Sequence, residues 1–341
     1  MLSAASQLAR LRNHGRRCMT TAWVLGSGGL LGGALCRALR RDGIELFLPA
    51  ERFSWVDGHA LDGQIAIAVQ AFAARLNANE SWQIYWAAGV GSMASAQDAL
   101  AAETHALKQL LQRLEAQPRL MSAPGAIAFA SSAGAIYAGA KDAVITEHTP
   151  PAATTAYARE KLLQEDLLKA FVMANQQTEA LLARISTIYG PGQAADKQQG
   201  LLTHIARRIL RNQPIQIYVP YDTIRDYIAV DDAAAAIIRA LEITSKTPRA
   251  LVKIVASEHP TTIAEIVSVF KRLARRAPRI VTSASKLSAL YSRRVQFRSL
   301  ALPECAKVPK RSLLVGVAQL MAAERSAFVQ SRHQDSELSK L

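Results

Sequence analysis

Tyr157 stands four residues ahead of Lys161 in the stretch TTAYAREKLLQEDLL, residues 154–168. A helix repeats every ~3.6 residues, so on a helix the two side chains share one face and one small volume. A phenol beside an ammonium can move a proton. Free tyrosine titrates near about 10, and a cation within about 4–6 Å lowers that value by about 1–3, which brings the phenolate within reach. An exposed Tyr–Lys pair at this spacing does nothing chemical alone, so it gains meaning only if the chain also supplies a cofactor and a pocket.

The stretch AWVLGSGGLLGGALCRALRRDG, residues 22–43, supplies the first of these. An apolar run at 23–25 reads as a strand, Gly26, Gly29 and Gly32 follow with Ser27, Leu30 and Leu31 between them, and Leu31, Leu35, Ala38 and Leu39 continue at helical spacing. Glycines suit a tight strand-to-helix turn, where a side chain would keep a pyrophosphate from the N–H groups at the helix N-terminus. The alternative is a glycine turn without a ligand.

Further strands are expected at 44–49, 81–88, 126–132 and 180–186, with helices at 64–76, 97–116 and 157–174 between them. That alternation predicts an α/β fold, a doubly wound parallel sheet whose ligands lie at the carboxyl ends of the strands. Ala87 and Ala88, which close the strand at 81–88, are therefore expected beside the cofactor, and Ser131 and Ser132 close the next strand.

The chain has 341 residues, half of them hydrophobic, and no apolar run of the roughly 18 residues a membrane span requires. Cys18, Cys36 and Cys305 are widely spaced and imply neither a structural disulfide nor a zinc site. The net charge of +14 is concentrated in two places: residues 1–41 hold seven Arg and no acid, and residues 271–311 hold 12 Lys or Arg against Glu304 alone. Such stretches are solvated surface or contacts for an anion. Residues 1–18 read as an unstructured leader, as a mitochondrial transit peptide, or as an over-extended start ahead of Met19. A cytoplasmic location is expected unless the transit reading holds.

Taken in order, GSGGLLG, the serines at 131 and 132, YAREK and RDYIAVDD make the chain resemble the extended short-chain dehydrogenase/reductase family, in its NAD-dependent epimerase/dehydratase branch. The resemblance runs over about residues 22–245. It implies a Rossmann-type cofactor domain over 19–188 and a smaller substrate lobe over 189–341, with 223–257 returning to the cofactor domain. It also implies NAD, with NADP not excluded, on the glycine turn, a nucleotide-diphosphate sugar as substrate and a homodimer, with neither specific nucleic-acid binding nor a membrane span. Tyr157 would exchange a proton with the sugar, Lys161 would bind the nicotinamide ribose and supply charge, and Ser132, with Ser131 in reserve, would steady the sugar oxygen. Thr187, Arg225 and, more weakly, Arg293, Arg294 and Arg298 would face substrate, the arginines at its diphosphate.

Ala133 and Ala135 depart from the family pattern, which carries a hydroxyl there, and Ala133 and Gly134 lack the acidic pair used to expel water. Glu51 and Arg52 are adjacent after the second strand and leave NAD against NADP open; Asp57 is a further adenine contact or a solvated loop acid. The expected activity is epimerisation by transient oxidation to a keto-sugar. One-way reduction of a carbonyl by NAD(P)H is the alternative, and a non-catalytic protein that senses dinucleotide while holding RNA or a membrane surface is a third reading.

Overall fold

The computed structural model describes residues 19–338 apart from 56, 90, 92–94, 195–199, 245–248, 275–277, 283–293 and 308, so the leader at 1–18 and Arg293 lie outside the described residues. Six strands form the main sheet: β1 (Thr20–Leu25), β2 (Glu45–Phe47), β3 (Ser81–Trp86), β4 (Gly125–Ser132), β5 (Thr178–Ile185) and β9 (Ala250–Val255). They lie in the order β2-β1-β3-β4-β5-β9, and every neighbouring pair is parallel. β5 is buried along nearly its whole length, as a strand covered on both faces must be.

One face of the sheet carries α2 (Gly58–Arg75), α3 (Gln97–Glu115), the short α4 (Pro118–Met121) and α6 (Ala156–Ala174). Their core joins Phe72, Trp82, Leu110, Phe129 and Leu168. The other face carries α1 (Leu30–Arg41) and α8 (Val230–Thr244), packed through Leu35, Leu39, Ala233, Ile237 and Leu241. The chain runs from β1 outward to β2 and then crosses back to β3. That reversal opens a crevice above the carboxyl ends of β1 and β3. The short α5 (Ala133–Ile136) leaves the end of β4.

A third apolar cluster, with Ile205, Ile266, Phe270 and Leu320, fills the remaining part of the molecule. It is framed by β6 (Thr187–Tyr189), α7 (Leu201–Leu210), β7 (Ile215–Ile217), β8 (Ile224–Ala229), β10 (Pro260–Thr262), α9 (Ile263–Ala274), β11 (Ile280–Thr282) and α10 (Leu313–Leu338). Residues 223–241 behave differently from the expectation that strand and helix return together. The helix α8 packs on the main sheet, whereas β8 pairs with β10 and β6 in a separate three-stranded sheet. The strand that completes the main sheet is β9, which pairs with β5.

Asp226 on β8 ties these parts together. Its carboxylate accepts from the Ser186 hydroxyl at 2.6 Å, from the Ser257 N–H and hydroxyl at 2.8 and 2.9 Å, and from the Glu258 N–H at 2.7 Å. Four donors satisfy a buried charge that would otherwise be costly.

Candidate active site

The glycine turn has the backbone its sequence demands. Gly26 has φ +82°, and a Cβ there would stand 2.6 Å from the Ala87 carbonyl oxygen. A Cβ on Gly32 would overlap the Gly26 carbonyl, so α1 approaches β1 this closely only without one. Gly29 caps α1 with no side-chain hydrogen bond, and the first helical N–H groups have no intrahelical acceptor. An uncapped, positively polarised helix end behind a turn with no room for a side chain at Gly26 or Gly32 fits a dinucleotide's pyrophosphate.

From this turn a cleft of about 410 Å³ runs to the YAREK helix. Gly28, Gly29, Leu30, Leu31, Ala87 and Ala88 line one end, and Ser131, Ser132, Tyr157, Lys161 and Thr187 line the rest. Gly26, Ser27 and Gly32 shape the turn without lining the cleft.

Tyr157 reaches the cleft because α6 starts immediately before it. The Thr155 hydroxyl accepts the Ala158 N–H at 3.2 Å and caps the helix, leaving Tyr157 in its first turn and Lys161 one turn on. The Ser132 side chain is close enough to the Tyr157 hydroxyl to favour its ionised form, and it also caps α5 by accepting the Ala135 N–H at 3.4 Å. Ala133 and Ala135, which carry no hydroxyl, are both buried, whereas Ser132 lines the cleft.

The expected acidification of the phenol is not found in the protein alone. Burial, and then the negative charge of Glu103, push the Tyr157 pKa up to about 12, against the opposing effect of Ser132. The ammonium meanwhile has partners of its own. Lys161 Nζ donates to Gln164 Oε1 at 3.0 Å, lies 3.9 Å from Glu103 Oε2, and is 5.8 Å from the centre of the Tyr157 ring. Burial also lowers the Lys161 pKa, partly offset by Glu103 and Glu165.

The two serines at the end of β4 point to opposite faces, as adjacent strand residues do. Ser131, expected as the reserve substrate contact, donates to Glu165 Oε1 at 2.7 Å. Glu165 also accepts from Arg184 Nε at 2.9 Å and Nη2 at 2.6 Å, and Arg184 Nη1 donates to the Tyr137 hydroxyl at 2.6 Å. This fully buried pair braces β4, β5 and α6 beneath the cleft. Neither Arg225 nor Arg298 lines the cleft: Arg225 Nη1 donates to the Ile224 carbonyl, and Arg298 is exposed, its backbone N–H held by the Ile145 carbonyl. Asp57 caps α2, accepting the His59 and Ala60 N–H groups at 3.1 Å each, which is why that helix starts before residue 64.

Glu103, Ser186 and Gln193 also line the cleft and carry no sequence signal of their own. Glu103 is one of several acids on an amphipathic helix, and nothing in its neighbourhood along the chain marks it out. Among the described residues no cluster of three His, Cys, Asp or Glu could hold a metal, and no helix is long and apolar enough to cross a membrane.

Fold and site together define an α/β protein whose doubly wound sheet carries a cleft running from a glycine turn to a Tyr–Lys pair. Residues 22–252 match the NAD dependent epimerase/dehydratase family, and the chain belongs to it. The dTDP-L-rhamnose 4-epimerase of Burkholderia thailandensis is 31% identical over 106 residues, 31% of this chain and 28% of that protein. The dTDP-4-dehydro-6-deoxyglucose reductase of Escherichia coli is 32% identical over 116 residues, 34% of this chain and 36% of that protein. The matches thus span about a third of each relative's length. Among solved structures, the UDP-glucose 4-epimerase of Thermus thermophilus in complex with NAD superposes with a TM-score of 0.75 at 20% identity, covering 91% of this chain and all of that one. That likeness is one of fold.

Proposed function

We propose that the chain epimerises a nucleotide-diphosphate sugar through a transient keto-sugar, with NAD as its cofactor. The observation that carries this reading is the convergence of Tyr157, Lys161 and Ser132 in a cleft that continues to an uncapped glycine turn. Gly28, Gly29, Leu30 and Leu31 would hold the pyrophosphate on a turn shaped by Gly26, Ser27 and Gly32. Ala87 and Ala88 would flank it, and Lys161 would bind the nicotinamide ribose. When bound, the cofactor supplies a reversible two-electron acceptor.

The protein's own part is proton transfer and orientation. Tyr157 takes a proton from a sugar hydroxyl and returns it, and Ser132 fixes the oxygen concerned by hydrogen bonding. Thr187 would contact the sugar at the lobe side of the cleft. Ser131 would act only through the rigidity it lends to β4. Arg225 and Arg298 would meet the diphosphate where the ligand extends beyond the cleft wall. Ala133 and Gly134 offer no carboxyl group to expel water, which argues against dehydration. The division at residue 188 into cofactor and substrate parts, and a homodimer, belong to the same reading.

One-way reduction of a keto-sugar is the second reading. It is favoured by a phenol that holds its proton tightly, since reduction needs an acid. The two are separated by incubating the protein with a panel of sugar nucleotides and either NAD or the reduced cofactors NADH and NADPH, and following products by NMR and mass spectrometry. Epimerisation yields a stereoisomer with no net change in reduced-nicotinamide absorbance. Stoichiometric consumption of NADH or NADPH would move the chain to the reductases, and absence of turnover together with salt-sensitive RNA binding would make it a binding protein.

A further inference from the structure

Glu103 is the one acidic residue among those described as lining the cleft, and its place there is built rather than incidental. It projects from α3 with its side chain only 12% exposed. Oε1 accepts the Gly91 N–H at 2.5 Å, and a Cβ on either Gly89 or Gly91 would come to 3.0 Å from the carboxylate, so this glycine-containing loop closes around the charge. Oε2 faces Lys161 Nζ at 3.9 Å.

Two acids on α6 nearby are committed elsewhere. Glu160 on α6 accepts from Thr104 at 2.6 Å and Gln97 at 3.0 Å. Glu165 on α6 is held by Arg184 from β5 and Ser131 from β4. Gln164, which accepts the Lys161 hydrogen bond, itself donates to Thr104 at 2.9 Å, so the ammonium is fixed between α3 and α6.

We propose that Glu103 is a positioning residue that holds and neutralises the Lys161 ammonium beside Tyr157, so that the phenol keeps its proton until cofactor and substrate are bound. The inference rests on Tyr157 being the proton-transfer group. A carboxylate within about 4–6 Å of a phenol and its partner cation opposes phenolate in two ways, by direct repulsion and by cancelling the cation's field. The charge of Glu103 is felt at the Tyr157 phenol, second only to burial.

The test uses the full chain without cofactor or substrate, carrying ring-labelled tyrosine, with Tyr157→Phe to identify the resonance by NMR. In the unaltered protein the Tyr157 signal changes to that of the phenolate only at the alkaline limit of the range in which the protein is folded. In Glu103→Gln, which keeps an acceptor for the Gly91 N–H and removes the charge, the midpoint is lower by about one pH unit, a tenfold easier deprotonation. Glu103→Asp, which keeps the charge, stays near the unaltered protein. An unchanged titration in folded Glu103→Gln, or an equal fall in Glu103→Asp, overturns the proposal. Should Glu103→Gln not fold, Lys161→Met provides the converse arm: with Glu103 unbalanced the phenol becomes harder to ionise, and easier ionisation there also overturns it. Because none of these readouts needs turnover, a failed search for substrate leaves the result standing, and a failed titration leaves the epimerase reading intact.

Discussion

Ser131 and Ser132 are neighbours with separate duties, and the period of two along a strand is what separates them. Ser131 donates into the buried Glu165–Arg184 pair, while Ser132 meets Tyr157 in the cleft. Ser131→Ala is therefore expected to cost about 1–3 kcal/mol of stability, because a buried carboxylate loses a donor; urea unfolding measures it. Ser132→Ala should leave the unfolding midpoint within about 0.5 kcal/mol of the original and lower turnover instead. Tyr157→Phe, which retains the ring, should reduce turnover by about 10²–10⁴-fold while NAD still quenches the protein's fluorescence. Near-normal turnover in that variant would remove Tyr157 from the chemistry. The Tyr–Lys spacing and the Ser-Ser pair are legible in the sequence because they are local. Glu103 is not: its contact with Lys161 arises only when α3 packs on α6, 58 residues apart by number, and no spacing along the chain encodes that.

At the scale of elements, the glycine turn is the most sequence-determined part of the molecule. Gly26 is required by its positive φ, and Gly32 by the closeness of α1 to the Gly26 carbonyl. Gly32→Ala should push α1 away from β1 and abolish NAD binding by calorimetry, with a modest fall in melting temperature; binding at the original affinity would place the dinucleotide elsewhere. β1, β3, β4, β5 and α6 are readable from apolar runs and helical spacing. β8 is readable as a strand, but its partners are not, since which edge a strand joins is settled by tertiary packing rather than by its own residues. The long α10 is hidden for a related reason: its stretch carries Gly316, and its apolar positions make sense only against α7, where Arg207 and Glu324 pair at 2.8 Å.

Across the whole molecule, buried phenols link the cleft to the lobe. Tyr157, Tyr189 and Tyr227 are each pushed up to about 12, in every case chiefly by burial. Tyr189 on β6 and Tyr227 on β8 belong to the lobe's apolar core, so the groups that resist ionisation sit on both sides of the Asp226 joint. In the unfolded chain the same phenols titrate near about 10. Between these values the unfolded state has lost protons that the native state still holds, so stability falls as pH rises; below the lower value the contribution is fully present. Each such tyrosine contributes on the order of 2 kcal/mol that is lost across this window. The urea midpoint should accordingly hold steady up to about pH 10 and decline steeply above it, as the unfolded phenols ionise first. Tyr227→Phe, which keeps the buried ring and removes the ionising group, should make that decline shallower. A midpoint that stays level through the alkaline range would mean that these hydroxyls reach water in the native protein, and that the core joining cleft and lobe is looser than its packing implies.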